Sequence, residues 1–319
     1  MNARISAKQD PAIFVVGAAH FDRRAKANGP YHPGASNPGR LFNTAGGSAF
    51  NATVALRALG ARVSFVSARG GDGDGKGIAS ALRDLSVEDY SVTWLDRAMP
   101  TYTAILDDRG ELVAGIADTS LYDLLGPKLL TRKHVRTGLA GAEAILLDAN
   151  LPGPTIAALV EAAGDRPVAA IGVSPAKVRR ILPVLPRLSA VFLSRAEAAA
   201  LVEATVATSL RLIGELLSEL GVRRAIISDG PLEAALLESG TLRFQRPPIV
   251  RPRDVTGAGD TLAAVTLMGD LAGLSWTEAA RRGLIAASLR ISSEGFPPPD
   301  LSRAIDDILP NLQDPTSES

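Results

Sequence analysis

One short segment of the chain combines the residue types that could hold and transfer a phosphoryl group. Residues 254–261 read DVTGAGDT. Glycines let the backbone approach an anion closely, and unpaired amides at a helix start stabilise negative charge, so Gly257, Ala258 and Gly259 are candidates for an anion site. Asp260 would stand in the first turn of that helix, where a carboxylate can accept the proton of an attacking hydroxyl. These residue types indicate phosphoryl transfer to an alcohol.

The residues that follow predict the helix that this site requires. Apolar side chains recur there at helical spacing, at Leu262, Val265, Met268 and Leu271. The glycines therefore lie where a loop enters a helix. Taken alone, the same pattern is also typical of a tight turn followed by a favourable N-terminal charge, so the segment needs support from elsewhere in the chain.

Short apolar runs separated by helical stretches predict the scaffold. The runs are short and rich in β-branched residues, as in strands that are buried on both faces, and they lie near 12–18, 62–68, 144–150, 168–174, 190–194 and 224–230. Between them are helical patterns such as 48–59, which Gly60 would end. This alternation predicts one α/β domain with a doubly wound, mostly parallel sheet.

Two segments depart from the alternation and are typical of hairpins. Residues 101–117 contain two strand-like runs around the turn 107–110, and we expect this hairpin to lie outside the main sheet as a small lid. A second hairpin is predicted at 234–246. An exposed edge of the lid would allow two subunits to pair, so a homodimer is compatible with the sequence. We expect residues 311–319 to form a flexible tail.

Composition narrows the classes of partner. The 319 residues include 34 basic and 34 acidic side chains, so no net charge draws the chain toward nucleic acid or an anionic membrane. The chain has no cysteine, which excludes disulfides and thiolate chemistry. The apolar run near the first residues is too short for a signal or a membrane span. We expect a cytoplasmic protein that binds neither nucleic acid nor membrane.

A second glycine-rich segment supports the first. Residues 45–51 read AGGSAFN, and Gly70-Gly71-Asp72 follow the next predicted strand. Together with 254–261, these segments resemble the two signatures of the ribokinase-like (PfkB) carbohydrate kinases, and the likeness extends from about residue 12 to about residue 300. The resemblance implies a ribokinase-like fold with lid strands from about 19–45 and 100–118. It also implies ATP and Mg²⁺ as cofactors and a sugar or nucleoside as acceptor, and it leaves a monovalent cation such as K⁺ open.

The resemblance assigns roles to residues that match the family's motifs. Those implied to bind the acceptor are Asp22, Gly46, Gly47 and Asn51, and those implied to bind the nucleotide are Ser228, Gly230, Thr256, Gly257 and Gly259. Glu197 takes the place of the acidic residue that the family associates with magnesium. The asparagine that normally precedes it by three residues is replaced by Ser194.

Several longer strings resemble the pseudouridine kinase branch of that family. They lie at 17–25, 36–40, 102–125, 146–152 and 173–177, and they add Asp118, Asp148, Asn150 and Lys177 as candidates for the acceptor pocket. The chain departs from the family's motifs at two places, which leaves alternatives open. His20 stands where the family has asparagine, and Ile171-Gly172 stand where the family often has Asp-Pro. The alternatives are a kinase for ribose, adenosine or fructose, a sugar-binding regulator without catalysis, and a non-enzymatic α/β binding module.

Overall fold

A computed structural model of the chain describes residues 10–293 and 296–317. The strands in these ranges are β1 Ala12–Val16, β2 His20–Ala27, β3 Gly39–Gly46, β4 Arg62–Val66, β5 Ala68–Gly70, β6 Glu88–Asp89, β7 Val92–Trp94, β8 Thr101–Leu106, β9 Leu112–Asp118, β10 Ala144–Asp148, β11 Val168–Ile171, β12 Ala190–Ser194, β13 Arg224–Ser228, β14 Ala234–Glu238 and β15 Thr241–Gln245. The α-helices are α1 Ser48–Ala58, α2 Gly73–Asp84, α3 Lys133–Ala140, α4 Gly153–Ala163, α5 Pro175–Val178, α6 Arg195–Leu201, α7 Leu210–Glu219, α8 Ala258–Leu271, α9 Trp276–Ser292 and α10 Leu301–Ile308.

The larger sheet confirms the predicted doubly wound architecture. In the described residues it contains nine strands in the order β15-β14-β13-β12-β11-β10-β1-β4-β6. The strands from β13 to β6 pair in parallel, and β14, next to the edge, pairs antiparallel with both β13 and β15. Strands β14 and β15 are the hairpin predicted at 234–246.

Successive side chains of the buried strands enter two different cores. In β1, Ile13 and Val15 face one core, and Phe14 and Val16 face the other. Helices α1, α8 and α9 cover the first face, and α4, α6 and α7 cover the second. Such strands need apolar residues at every position, which is why the sequence shows continuous apolar runs instead of alternation.

The strand order changes direction at β1, and this places a crevice at the carboxyl ends of β1 and β10. Strand β1 lies between β4 and β10, so the connections that leave β1 and β10 diverge to opposite sides of the sheet. Open α/β sheets bind ligands at such a switch point. Asp148, the last residue of β10, is fully buried there.

A smaller sheet stands beside this edge. In the described residues it contains four strands in the order β3-β2-β8-β9, so the hairpin predicted at 101–117 does lie outside the main sheet. Strand β9 is exposed along its whole length. The four strands fall within the segments that we assigned to a lid, while their action as a lid stays a prediction.

The C-terminal segment contacts the main sheet. Phe244 and Thr316 exchange backbone hydrogen bonds of 2.8 and 2.9 Å, so part of the segment 311–319 contacts strand β15. Residues 318–319 lie outside the described part, and the flexibility of the tail stays a prediction.

Among the described helices, none is both long and apolar enough to span a lipid bilayer.

Candidate active site

The carboxylate of Asp260 is held at the start of α8 by two side chains of α1. Its Oδ1 accepts a hydrogen bond of 2.5 Å from the Ser48 hydroxyl, and its Oδ2 accepts one of 2.9 Å from the Asn51 amide. Ser48 and Asn51 are three residues apart on α1, so they lie on the same face of that helix. The two glycine-rich segments of the sequence thus meet at one carboxylate.

Burial is the main influence on the charge of Asp260. Burial raises the pKa of Asp260, the hydrogen bonds from Ser48 and Asn51 lower it, and the negative charges of Asp148 and Glu197 raise it, which together bring the pKa to about 6. A general base works best when its pKa lies close to the pH of the reaction. Asp260 therefore has the geometry and the basicity to accept a proton near neutral pH.

We expect the turnover rate to depend on the ionisation of Asp260. Since only the carboxylate form can accept a proton, kcat should rise with pH through a region near 6, where the pKa of Asp260 lies, and then level off. Initial rates at saturating substrates between about pH 5 and pH 8 test this. A flat profile over that range would contradict the role of Asp260 as the base.

A cavity of about 520 Å³ opens in front of this carboxylate. Many of the residues that we assigned to the acceptor or to catalysis line it, namely Asp22, Gly47, Asn51, Asn150, Lys177, Gly257 and Asp260. Thr256, which we assigned to the nucleotide, also lines it, as do Arg24 and Tyr102 of the smaller sheet, Ser48 and Thr119. The polar lining suits a ligand that carries several hydroxyl groups.

Asp22 presents a nearly buried carboxylate to this cavity. The residue is 7% exposed, and its described partner is the Nε2 atom of His20, 3.3 Å from its Oδ1. The Nδ1 atom of the same histidine lies 2.9 Å from the hydroxyl of Tyr122, which donates to the carbonyl of Ala19. His20 therefore orients Asp22, and a ligand's hydroxyl groups can bind the carboxylate from the cavity side.

Lys177 contributes a cation at another wall of the cavity. Its ammonium group donates to the side-chain oxygen of Asn150 at 2.7 Å and to the hydroxyl of Thr119 at 2.8 Å. Burial lowers the pKa of Lys177, although the nearby charge of Asp148 opposes this. Because an ammonium group has three N–H donors, two neutral partners leave one for an oxygen of a ligand.

A second cavity, of about 340 Å³, lies on the other side of the start of α8. Its lining is mostly apolar, and Leu284, Ala287 and Ile291 of α9 belong to it. Four residues of the predicted nucleotide and anion sites line it as well, namely Ser228, Gly230, Ala258 and Gly259. The loop from Val255 to Asp260 thus separates a polar cavity from an apolar one. The Thr256 and Ala258 amides donate within the loop, which leaves those of Gly257, Gly259 and Asp260 for a ligand.

Glu197 helps to begin helix α6 and lines neither of the two cavities. Its carboxylate accepts a hydrogen bond of 2.9 Å from the amide of Ser194, and the Ser194 side chain accepts one in return. Among the described residues, no three or more His, Asp or Glu side chains gather into a metal site. Magnesium in kinases needs only one or two carboxylates beside phosphate oxygens, and Glu197 is a partly buried carboxylate close enough to Asp260 to raise its pKa. Its role as a magnesium ligand stays a prediction.

Three predicted acceptor residues, Gly46, Asp118 and Asp148, do not line the polar cavity in the structure. Gly46 lies behind Asp22, and a Cβ at Gly46 would come within 2.5 Å of the Asp22 carboxylate, so this glycine makes room for Asp22. Asp118 is exposed at the end of β9, where it accepts a hydrogen bond of 3.2 Å from Ser120. A direct role of any of the three in acceptor binding stays a prediction.

Asp148 ties together the elements that meet at the switch point. Its carboxylate accepts hydrogen bonds from the amides of Ala18 at 2.8 Å, Ala49 at 3.1 Å and Asn150 at 2.9 Å. It thereby joins the ends of β1 and β10 to the first turn of α1, which holds Asp260. The sequence placed Asp148 near the pocket without this role, and it gave no role to Arg24 or Ser48.

The chain matches known proteins over nearly its whole length. The family model for the pfkB family of carbohydrate kinases matches residues 10–300. Pseudouridine kinase of Escherichia coli (strain K12) is 24% identical over 304 residues, which cover 92% of this chain and 94% of that protein. Both findings agree with the resemblance that the two glycine-rich segments carry.

Solved structures give the same result. A carbohydrate kinase from Agrobacterium tumefaciens superposes with a TM-score of 0.84 and 35% identity, covering 96% of this chain and 99% of that chain. The ribokinase of Arabidopsis thaliana in complex with ribose and ATP shares the fold, with a TM-score of 0.80 and 22% identity over 94% of this chain and 99% of that chain. The chain therefore belongs to the pfkB family of carbohydrate kinases and is a phosphotransferase that acts on an alcohol group of a sugar or nucleoside.

Proposed function

We propose that the chain transfers the γ-phosphoryl group of ATP to the 5′-hydroxyl of pseudouridine, giving pseudouridine 5′-phosphate and ADP. The observation that carries the transfer is the position of Asp260, which Ser48 and Asn51 hold at the polar cavity while the preceding Ala258 and Gly259 line the apolar one. An acceptor in the polar cavity and a nucleotide in the apolar one would approach each other across the first turn of α8. In-line phosphoryl transfer requires this arrangement.

The proposed reaction uses groups on both sides of that turn. Asp260 takes the proton of the 5′-hydroxyl as its oxygen bonds to the γ-phosphorus, and the bond from that phosphorus to the bridging oxygen of ADP breaks. Of the amides from Thr256 to Asp260, those of Gly257, Gly259 and Asp260 stabilise the charge on the transferring group, because the Thr256 amide donates to Asp254 and the Ala258 amide to Val255. Glu197 is the candidate protein ligand for magnesium, which would supply neutralisation of the phosphate charge.

Two observations support a nucleoside, and pseudouridine in particular, as the acceptor. The E. coli relative that bears the name pseudouridine kinase aligns over 94% of its own length. In addition, the Lys177 ammonium group and the Asn150 and Thr119 side chains form a polar cluster at the wall of the cavity that Asp260 also lines. A base carbonyl would accept the remaining Lys177 donor, whereas ribose and fructose carry no base.

The direct test is ATP-dependent release of ADP, with magnesium, across pseudouridine, uridine, cytidine, adenosine, ribose and fructose. Strong preference for pseudouridine, with a 5′-phosphate identified by mass spectrometry, would support the proposal. Preference for ribose, adenosine or fructose would keep the chemistry and replace the acceptor. If none of the six compounds supports ADP release, the proposed acceptor class is contradicted. A chain that binds these compounds without turnover would be a sensor. The cytoplasmic location and the homodimer through the smaller sheet stay predictions.

We expect Lys177→Met to weaken recognition of the base selectively. A hydrogen bond to a charged group contributes about 1.5–3 kcal/mol, so kcat/KM for pseudouridine should fall by about 10- to 100-fold. For ribose the value should change little, because ribose has no base carbonyl for the ammonium group. Lys133→Met, at an exposed lysine at the start of α3, is the matched control. An equal loss for pseudouridine and ribose would contradict a role for Lys177 in reading the base.

A further inference from the structure

Arg24 joins the smaller sheet to the loop that precedes α8. One guanidinium nitrogen donates to Asp254 Oδ2 at 2.8 Å, and the other donates to the hydroxyl of Thr256 at 2.8 Å. Asp254 in turn accepts a hydrogen bond of 2.9 Å from the amide of Thr256 through its Oδ1. The loop that leads into the anion site is thus closed by two hydrogen bonds from a different sheet.

The same strand carries a residue of the acceptor site. Side chains two residues apart on a strand point to the same face, and both Asp22 and Arg24 of β2 line the polar cavity. Arg23, between them, points to the other face and pairs with Asp74 of α2. Any ligand that fixes Asp22 therefore also fixes the strand that carries Arg24.

The pair of Arg24 and Asp254 is charged and accessible, which suits a contact that can form and break. Burial alone would raise the pKa of Asp254, but the hydrogen bonds from Arg24 and from Thr256 lower it below its usual value. The side chains are 25% and 34% exposed. The planar fork of arginine can hold Asp254 and Thr256 at the same time, which a lysine cannot do with the same geometry.

We propose that Arg24 is a positioning residue that couples binding of the acceptor to assembly of the phosphoryl-binding loop. The acceptor fixes β2 through Asp22, β2 holds Asp254 and Thr256 through Arg24, and the loop then presents its amides to the nucleotide phosphates. This inference rests on the proposed use of the two cavities by an acceptor and ATP. Because coupling between two sites is reciprocal, the acceptor and the nucleotide should each raise the other's affinity by the same factor.

The first experiment needs no ligand and so does not depend on the proposed function. Hydrogen exchange of the ligand-free chain, read by mass spectrometry, is compared for the wild type, Arg24→Gln and the matched control Arg23→Gln. Loss of the Arg24 contact should speed exchange of the amides at 254–257 by about tenfold, since local opening sets the exchange rate. Arg23→Gln should leave these amides unchanged. Equal exchange in all three proteins would overturn the proposed contact.

The second experiment measures the coupling itself. A non-hydrolysable ATP analogue is titrated with and without the acceptor that the six-compound panel shows to react fastest. In the wild type and in Arg23→Gln, the acceptor should tighten binding of the analogue by about tenfold, a usual size for coupling between sites. In Arg24→Gln this ratio should fall close to one. Arg24→Lys should retain part of the coupling, because lysine can bind only one of the two partners well.

The outcomes separate this proposal from the proposed function. A wild-type chain that phosphorylates pseudouridine but binds the acceptor and the analogue independently would overturn the coupling and keep the function. The same holds if Arg24→Gln preserves the wild-type ratio. If none of the six compounds reacts, the proposed function fails, and unchanged hydrogen exchange in Arg24→Gln would still overturn the contact on its own.

Discussion

Asp260→Asn should lower kcat by about a thousandfold, since a positioned general base contributes about 10²- to 10⁴-fold to a proton transfer. The amide of asparagine keeps nearly the shape of the carboxylate but cannot accept the acceptor's proton. The KM of the acceptor should change by less than about threefold, because Asp22 and Lys177 remain in place. Initial rates at saturating ATP and varied acceptor measure both constants.

Stability provides the control for this substitution. Burial raises the pKa of Asp260 from 3.8 to about 6, so the native fold binds this proton more tightly than the unfolded chain does. The resulting stabilisation is fully present below about pH 4 and is lost as the pH rises through about 6. At pH 8 the ionised carboxylate therefore costs stability, on the order of 3 kcal/mol.

The neutral asparagine removes that cost, so Asp260→Asn should unfold at no lower a temperature than the wild type at pH 8. Asp270→Asn serves as the matched control, because Asp270 lies on the same helix and pairs with Arg224 away from both cavities. It should keep kcat. Wild-type turnover by Asp260→Asn, with its fold intact, would remove Asp260 from the mechanism.

Gly257→Ala should reduce kcat by about a hundredfold, a loss similar to that of removing one donor from an anion hole. Gly257 has a φ of 78°, a left-handed conformation that costs an alanine about 1–2 kcal/mol. A Cβ at this position would also lie 3.0 Å from the Cγ and Nδ2 atoms of Asn51. The side chain that holds Asp260 would have to move, so both the melting temperature and kcat should fall.

Gly259→Ala offers a matched comparison two residues further along the same segment. A Cβ at Gly259 meets no heavy atom of the described residues within 4 Å, and the residue lies within α8. Alanine favours a helix by up to about 1 kcal/mol over glycine, so the folded chain should gain stability. The added methyl group would enter the apolar cavity, so the KM of ATP should rise more than kcat falls. Equal effects of the two substitutions on stability and kcat would contradict the assigned geometry.

The sequence alone predicted the features that depend on neighbouring residues. Continuous apolar runs follow from strands that are buried on both faces, and they predicted the parallel sheet. The spacing of the apolar residues after Asp260 predicted the start of α8, and Gly60 marked the end of α1. The segments 45–51 and 254–261 carried the family resemblance. Periodicity and helix-start chemistry are local, so they can be read without knowing the fold.

Only the tertiary structure decided which distant side chains meet. Arg24 and Asp254 are 230 positions apart, and Ser48 and Asp260 are 212 apart, so no local pattern relates them. Strand pairing also decided that Asp118 does not line the polar cavity. Ala117 and Thr119 line the polar cavity, while Asp118 between them does not. Because successive side chains of a strand point to opposite faces, a shift of one residue in register would reverse this choice. The register between β8 and β9 comes from backbone pairing in three dimensions, which no local pattern shows. The sequence therefore determined the class of chemistry, and the structure determined which residues line the site.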